Sequence, residues 1–168
     1  GALRLLAYER PGSLRYVCDD SILHWPQESE KFDLILSNPP FGMRLGNQYR
    51  DIIRHHYRDI EPNIRTIEQF LIEKGVQSLK QKGKLIALLP QGFLFRGMQE
   101  QRLREHLVEE DLIDTIISLP GGLLLNTGIP LIILVLDRNK KLPGRVKFVD
   151  AKNFVIAKGP REKVLNDY

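Results

Sequence analysis

The chain has one cysteine, Cys18, among its 168 residues. A single cysteine excludes an internal disulfide framework and indicates a reducing compartment. No apolar run approaches the roughly 20 residues that a membrane-spanning helix needs, and no signal peptide is visible. These absences predict a cytoplasmic protein with no membrane partner.

The cysteine itself has two possible roles. Cys18 ends a short strand-like run that begins near Leu14. A nucleophilic thiol needs a base beside it, and no obvious base is nearby in the sequence. We therefore expect Cys18 to be a buried, unreactive strand residue.

Charge is only mildly unbalanced, with a formal net charge of +4. That balance permits a nucleic-acid partner without requiring one. The hydrophobic fraction of 42% and the charged fraction of 27% are those of an ordinary globular protein with a real core. No internal repeat or low-complexity segment suggests a fibrous or repetitive architecture.

Basic side chains are concentrated in one stretch between residues 44 and 65. They are Arg44, Arg50, Arg54, His55, His56, Arg58 and Arg65. Two interpretations stay open here, namely contacts to DNA phosphates and an ordinary solvated helix face. The two adjacent histidines would point in different directions from a helix, so we expect no metal site there.

Short apolar runs alternate with amphipathic stretches along most of the chain. Near-continuous apolar strands between helices predict an α/β fold with a mostly parallel sheet. Predicted strands cover 14–18, 32–37, 84–90, 112–119, 130–136 and 146–149, and predicted helices cover 2–8, part of 42–63, 66–82 and 99–110. The strands at 112–119 and 130–136 have no helix between them, so we expect the sheet to end in an antiparallel pair. Residues 1–150 would form the domain, and 151–168 a tail or the start of a following segment.

The most informative stretch is Asn38-Pro39-Pro40-Phe41, which follows the apolar run 32–37. Two prolines cannot continue a central strand, so the strand must stop there. The tetrapeptide is then displayed at the carboxyl end of a strand, where open α/β sheets bind ligands. The plainer alternative is that these residues form only a strand-to-turn stop.

The residue types suit methylation of an exocyclic amino group on a flat base. Such an amine is a poor nucleophile, and two hydrogen-bond acceptors on its N–H groups pull the nitrogen toward tetrahedral geometry. The side-chain carbonyl of Asn38 and the backbone carbonyl of Pro39 are the candidate acceptors. Phe41 would stack on an extruded base. The methyl donor would be S-adenosylmethionine, whose sulfonium needs positioning more than activation.

The ordered series of motifs resembles the adenine-specific N6 DNA methyltransferases, most closely the modification (M) subunit of type I restriction-modification systems. The resemblance covers about residues 3–138. It is carried by the stretches 32–42, 68–71, 83–95, 119–120 and 127–136, which are similar to the family's catalytic motif, following helix, next strand and final hairpin.

This resemblance implies a Rossmann-like, S-adenosylmethionine-dependent methyltransferase fold that acts on DNA with a specificity subunit and a restriction subunit. It assigns catalysis to Asn38, Pro39, Pro40 and Phe41. It assigns cofactor binding to Asp20, with Ser21 beside it, and to Asn38 and Pro39. Asp20 matches the position that contacts the adenine ring of the methyl donor, although a turn cap is the plainer reading of this residue.

Several departures from the family pattern concern the cofactor site. The family's glycine-rich loop and ribose-binding acid lie upstream of everything in this sequence, so we expect a fragment without the first strands and with an incomplete cofactor site. Asp19 stands where the family has Gly, and Leu124 where many members have Phe. The segment 126–128 is either a loop near the extruded base or an ordinary hairpin turn.

Two hypotheses other than adenine methylation in DNA fit part of the pattern. Asn-Pro-Pro-aromatic chemistry also serves guanine methylation in ribosomal RNA and glutamine methylation in release factors. Gly42 after Phe41 differs from the RNA enzymes, and Phe41 in place of Tyr disfavours the glutamine enzymes. A non-catalytic methyltransferase-like module that binds DNA or a partner is the third hypothesis, and the missing cofactor loop favours it.

Overall fold

A computed structural model of the chain describes residues 17–27, 29–57, 60, 63–124, 128–159 and 162–165. The predicted helix at 2–8 and the first three residues of the predicted strand at 14–18 lie outside this part of the chain. The last two residues of that predicted strand, Val17 and Cys18, belong to neither a helix nor a strand.

The described residues form three α-helices and seven β-strands. The helices are α1 (Asn47–His56), α2 (Ile67–Gln77) and α3 (Gln99–Glu109). The strands are β1 (Phe32–Ser37), β2 (Leu79–Pro90), β3 (Ile113–Leu119), β4 (Leu131–Asp137), β5 (Lys147–Asp150), β6 (Val155–Gly159) and β7 (Glu162–Leu165).

Five strands form one sheet in the order β1-β2-β4-β3-β5. Strand β4 is antiparallel to both of its neighbours, whereas β1 with β2 and β3 with β5 pair in parallel. The expected antiparallel pair of the strands near 112–119 and 130–136 is therefore confirmed. The sheet continues past that pair to β5, so four of its five strands run in one direction.

The core lies where α2 and α3 pack on this sheet. Leu85 and Leu89 of β2 are fully buried and alternate with less buried residues, as expected of a strand with one face on the core. Val76 of α2 and Leu107 of α3 belong to the same apolar cluster as these two leucines. The α/β prediction from the apolar runs is confirmed, and comparable solved folds are described below.

A second apolar cluster packs the segment after Asp20 against α1 and α2. Phe70 of α2 is completely buried at its centre, and its ring meets those of Trp25 and Tyr57 edge-on, with centroids 5.6 and 5.4 Å apart. The other buried members are Ile22, Leu45, Ile53, Ile60, Ile64 and Ile67. The segment after Asp20 and the chain after Phe41 therefore pack against the same apolar cluster.

The predicted helix over 66–82 is too long, because α2 ends at Gln77 and β2 begins at Leu79. Leu79 pairs with Phe32 at the start of β1. Residues that their helical spacing had assigned to the helix therefore belong to the sheet. A Cβ atom on Gly83 would lie 2.7 Å from the carbonyl oxygen of Phe32, which explains glycine at this close approach of two strands.

The expectation for Cys18 was wrong. The residue is exposed and lies outside any strand. The turn that follows it is anchored by Ile22 rather than by the thiol, since Ile22 is the buried apolar residue of this segment. The apolar run before Cys18 therefore does not carry it into the core.

Residues after β5 contain more structure than their weak pattern indicated. A 3₁₀ turn at Lys152–Phe154 leads into β6 and β7, which form a separate antiparallel two-stranded sheet. The proposed boundary at residue 150 stays a prediction. Within the part of the chain that the structure describes, no helix is both long enough and apolar enough to cross a membrane.

Candidate active site

The Asn38–Phe41 segment begins directly after β1 ends at Ser37. It is called the catalytic loop below, after the role that the resemblance assigns to it. Because β1, β2, β3 and β5 run in one direction, their carboxyl ends meet at one edge of the sheet, together with the start of β4. The Gln91 amide after β2 donates to the carbonyl of Pro130 before β4 at 2.9 Å, which ties two of these connections together. The sequence argument for a ligand site at this edge rests on this arrangement.

Within the catalytic loop the side chains alternate between the interior and solvent. Pro39 is buried, while Asn38 and Pro40 are exposed. Among the described residues, none makes a hydrogen bond to the Asn38 side chain. The buried proline anchors the loop, and the amide of Asn38 is accessible to a ligand.

Phe41 is half-buried and packs against an apolar cluster at the same edge of the sheet. The other members of the cluster are Leu88, Ile117, Leu119, Leu123, Leu124, Leu131, Ile133 and Ala151. Leu124, which stands where many family members have Phe, is therefore in the group of side chains that supports the ring. Asn126 and Thr127 lie outside the described residues, and Gly128 is exposed.

Asp20 organises a turn with its carboxylate. Its Oδ1 atom accepts the backbone N–H groups of Ile22 at 2.9 Å and Leu23 at 3.3 Å, as a turn-capping aspartate does. Its Oδ2 atom accepts a 2.6 Å hydrogen bond from the hydroxyl of Tyr49 on α1. The Tyr49 hydroxyl, followed by these backbone donors, holds the pKa of Asp20 below its ordinary value despite desolvation.

The residues beside Asp20 are open to solvent. Ser21 is exposed. Asp19, which stands where the resemblance leads us to expect Gly, accepts the backbone N–H of Asp20 at 2.8 Å and lies 3.0 Å from Nδ1 of His24. These contacts, that of the Asp20 backbone first, lower the pKa of Asp19. Asp19 therefore stabilises the turn from its solvent side.

The Asp20 turn and the chain that follows the catalytic loop pack in the same apolar cluster. Ile22, two residues after Asp20, and Leu45, four residues after Phe41, are both buried in the cluster centred on Phe70. The hydroxyl of Tyr57 also donates to the carbonyl of Ile22 at 2.6 Å. The fold thus connects two sequence-predicted parts of the site through α1 and α2.

Two residues with direct contacts to this site were not predicted. Tyr49 bonds Asp20, and Glu68 Oε1 accepts the backbone N–H of Gly42 immediately after the catalytic loop. Glu68 is visible in the sequence as an acid at a helix start, which is where the family has one. Nothing in the sequence pairs it with Gly42, because the two residues are 26 positions apart.

The basic stretch presents mostly exposed side chains. Arg44, Arg54, His55, His56 and Arg65 are exposed, and Arg54 pairs with Asp51 on the same helix at 3.3 Å. Arg58 lies outside the described residues. The DNA-phosphate and solvated-face interpretations both stay open. The described part of the chain contains no group of three or more His, Cys, Asp or Glu side chains that could hold a metal ion.

A cationic cavity of about 290 Å³ lies at the opposite edge of the sheet, near the end of α2. Lys31 donates to the carbonyl of Gln77 at 2.8 Å, and Arg138 donates to that of Val76 at 3.0 Å. The Lys74 ammonium donates to Oε1 of Gln77 at 2.8 Å. These cations serve the electronegative end of the helix, which accounts for their clustering without a ligand.

Comparisons with known proteins agree on one family. The family model described as N-6 DNA Methylase matches residues 12–168. The chain is 30% identical over 146 residues to the MjaVIII methylase subunit of a type I restriction enzyme from Methanocaldococcus jannaschii. It is also 30% identical over 152 residues to the HindI type I methylase subunit of Haemophilus influenzae.

Solved structures give the same result. The crystal structure of a type I restriction-modification methyltransferase subunit from Streptococcus thermophilus superimposes with a TM-score of 0.72 and 31% identity, over 88% of this chain and 32% of that one. The matches cover 81% of this chain and 24% of the M. jannaschii subunit, and 89% of this chain and 33% of the H. influenzae subunit. The chain therefore spans between a quarter and a third of the length of these relatives.

Proposed function

The chain belongs to the N-6 DNA methylase family, and from that membership we propose that it transfers a methyl group from S-adenosylmethionine to N6 of adenine in DNA. It would do so as part of the modification subunit of a type I restriction-modification system. The observation that carries the proposal is the catalytic loop itself, which presents the exposed, unbonded Asn38 amide at the carboxyl end of β1 beside a half-buried Phe41.

In this proposal the side-chain carbonyl of Asn38 and the backbone carbonyl of Pro39 accept the two N–H groups of the target amine. Those contacts draw the nitrogen lone pair out of conjugation. The pyrrolidine rings of Pro39 and Pro40 fix their φ angles and so restrict the backbone conformations of the loop. The ring of Phe41, supported on one side by apolar neighbours, stacks on the extruded adenine.

The carboxylate of Asp20 fits the adenine end of the methyl donor. An ionised carboxylate has about four acceptor sites. Donors from the described residues take three of them, namely two on Oδ1 and one on Oδ2. The fourth, on Oδ2, can accept an exocyclic amino group, with Ser21 exposed beside it. When bound, S-adenosylmethionine supplies an electrophilic methyl group on a sulfonium.

The family match favours DNA over the other substrates that this loop chemistry allows. The relatives are methylase subunits of type I restriction enzymes, so we further propose a specificity subunit and a restriction subunit as partners. Exposed cations such as Arg44 and Arg65 are the candidate phosphate contacts. We propose that such a complex works in the cytoplasm, because the relatives come from archaea and bacteria, which hold their DNA there.

The test is direct detection of the product. The proposed modification subunit that contains this chain, assembled with its specificity subunit, is incubated with S-adenosylmethionine and unmethylated genomic DNA, which is then digested to nucleosides and analysed by mass spectrometry. We expect N6-methyladenosine in its deoxy form and no N4-methylcytosine. Asn38→Ala should reduce the rate by about 100- to 1,000-fold, the usual effect of removing one preorganised polar contact in a transition state.

The matched control is Asn139→Ala. Asn139 is an exposed asparagine that follows β4 at the opposite edge of the sheet, so its replacement should leave the rate unchanged. Absence of methyladenine with the unmodified subunit, in a preparation that binds S-adenosylmethionine, would contradict the proposed activity. Equal loss of rate in both variants would contradict the role of Asn38.

A further inference from the structure

The exit of the catalytic loop is attached to the start of α2 by an unusual contact. Glu68 occupies the first turn of α2, and its Oε1 atom accepts the backbone N–H of Gly42. The Glu68 side chain is almost completely buried, at 5% exposure. A carboxylate is rarely buried to this extent without a pairing partner, so this placement requires a specific reason.

Backbone contacts around Glu68 bring the two segments side by side. The N–H of Ile67 donates to the carbonyl of Met43 at 3.0 Å, and the N–H of Leu45 donates to that of Arg65 at 2.8 Å. An isolated antiparallel bridge joins Arg44 to Thr66 between these two bonds. The chain just after the catalytic loop, residues 42–45, therefore lies against the start of α2. Glu68 contacts the end of this stretch that is nearest the loop, at Gly42.

The helix does not need Glu68 as a cap. Thr66 and Gln69 already form a complete capping box, in which the Gln69 side chain accepts the backbone N–H of Thr66 at 3.1 Å. The Oε2 atom of Glu68 is buried and has no hydrogen-bond partner among the described residues. A half-satisfied buried carboxylate opposes stability, so helix capping does not explain its presence.

Gly42 is where the loop changes direction. Its φ of +68° lies in the left-handed region that disfavours residues with a side chain. The peptide that carries the Gly42 N–H also carries the carbonyl of Phe41, so a bond to this N–H sets the orientation of the plane that ends the catalytic loop. A charged acceptor forms a shorter and stronger bond than a neutral one.

We propose that Glu68 is a positioning residue for methyl transfer. Its carboxylate holds the Gly42 N–H and thereby keeps Phe41, and the Pro39 and Asn38 acceptors before it, in the orientation that the target amine requires. This inference rests on the proposed function. Glu68 contacts the loop backbone and not the reacting atoms, so its effect is on the rate and not on the binding of DNA.

The experiment compares Glu68→Leu and Glu68→Gln with the unmodified chain, at a temperature where denaturation curves show every variant folded. Amide hydrogen exchange is followed by NMR at Gly42 and, as an internal control, at Phe70, whose N–H donates to Thr66 within α2. Methylation is measured in parallel, with the same substitutions in the proposed modification subunit, as kcat and as KM for DNA. Glu100→Gln is the matched control, since Glu100 is the first-turn acid of α3.

We expect Glu68→Leu to exchange the Gly42 amide about tenfold faster or more, with Phe70 unchanged, because a lost hydrogen bond of this kind opens the amide locally. The kcat should fall by about tenfold or more while KM for DNA stays within about twofold. Glu68→Gln keeps a neutral acceptor and should lie between Leu and the unmodified chain. Glu100→Gln should match the unmodified chain.

Three results would overturn the inference. They are unchanged Gly42 exchange in Glu68→Leu, unchanged kcat in that variant, and equal acceleration at Gly42 and Phe70, which would mean general loosening of α2. If the unmodified modification subunit produces no methyladenine, the proposed function fails by itself. The exchange ratio at Gly42 then decides alone whether Glu68 holds the loop.

Discussion

The hydroxyl of Tyr49 on α1 donates a 2.6 Å hydrogen bond to Oδ2 of Asp20, across 29 residues of sequence. It connects the turn that we propose for the methyl donor to the helix that follows the catalytic loop. This hydrogen bond lowers the pKa of Asp20 and raises the pKa of Tyr49. The turn proposed for the methyl donor and the helix after the catalytic loop are therefore joined through the Tyr49 hydroxyl.

Tyr49→Phe should raise the pKa of Asp20 toward its ordinary value of 3.8. A lowered carboxyl pKa contributes stability that is present above the ordinary value and lost as pH falls through the folded-state value. The stability difference between the two proteins should therefore be present at neutral pH and disappear below the folded-state pKa. NMR titration of the Asp20 carboxyl carbon gives its folded-state pKa, and urea unfolding at pH 7 and at a pH below that value measures the stability difference. An unchanged titration curve would show that the phenol does not act on Asp20.

Lys84→Met should destabilise the fold by about 1–3 kcal/mol at pH 7. Lys84 lies 2.8 Å from Asp137, whose side chain is only 4% exposed. Burial raises the pKa of Asp137, but the bonds from Lys84 and from the backbone of Asn139 outweigh it and hold the pKa below its ordinary value. Removing the ammonium leaves a buried carboxylate without its ion-pair partner, and the loss should shrink as acid protonates Asp137.

The control for this ion pair is Lys80→Met. Lys80 pairs with Asp33 at 2.7 Å, but both side chains are exposed, at 52% and 83%. A solvent-exposed pair contributes about 0–1 kcal/mol, so urea unfolding should show the smaller change. Equal losses from the two substitutions would contradict the argument from burial.

Gly42→Ala should cost about 1–2 kcal/mol of stability from backbone strain alone. A Cβ atom at this position would meet nothing within 4 Å, so the positive φ of +68° is the cause and not steric overlap. Gly97→Ala is the control, because its Cβ also meets nothing within 4 Å and its φ is not in the left-handed region. Thermal unfolding of the two variants separates strain from crowding, and equal midpoints would show that Gly42 carries no strain.

Cys18 should react with a thiol reagent in the native protein. It is exposed, and it is the single cysteine of the chain, so one equivalent of modification is unambiguous. Modification should proceed at a rate near that of the urea-unfolded protein. Protection of the thiol until the protein unfolds would contradict the exposed position.

Prediction from sequence succeeded where a short-range rule was decisive. Two prolines after 32–37 end β1, and β3 ends just before Pro120, as expected of residues that cannot donate to a sheet. Helix α3 matches its predicted range within one residue, because Leu103 and Leu107 mark its buried face. The assignment of Asn38 and Phe41 to a loop at a strand end followed from the same local constraints.

Prediction failed where distant segments compete for the same residues. Leu79 has a helical spacing from Val76, yet it joins β2 because Phe32 is available to pair with it. Cys18 follows a β-like run but stays exposed, since Ile22 fills the apolar cluster in its place. The spacing of apolar residues depends on one chain segment alone, whereas the free energy of strand pairing depends on two segments.

By itself the sequence determined the family, the order of helices and strands from β1 to β5, and the chemical groups of the catalytic loop, because each depends on residues that are neighbours in the chain. Only the tertiary structure decided which distant groups support that loop. Tyr49 meets Asp20, and Glu68 meets Gly42, because α1 and α2 pack on one apolar cluster around Phe70. Hydrogen bonds act over about 3 Å, so such pairs exist only after packing has brought the segments together.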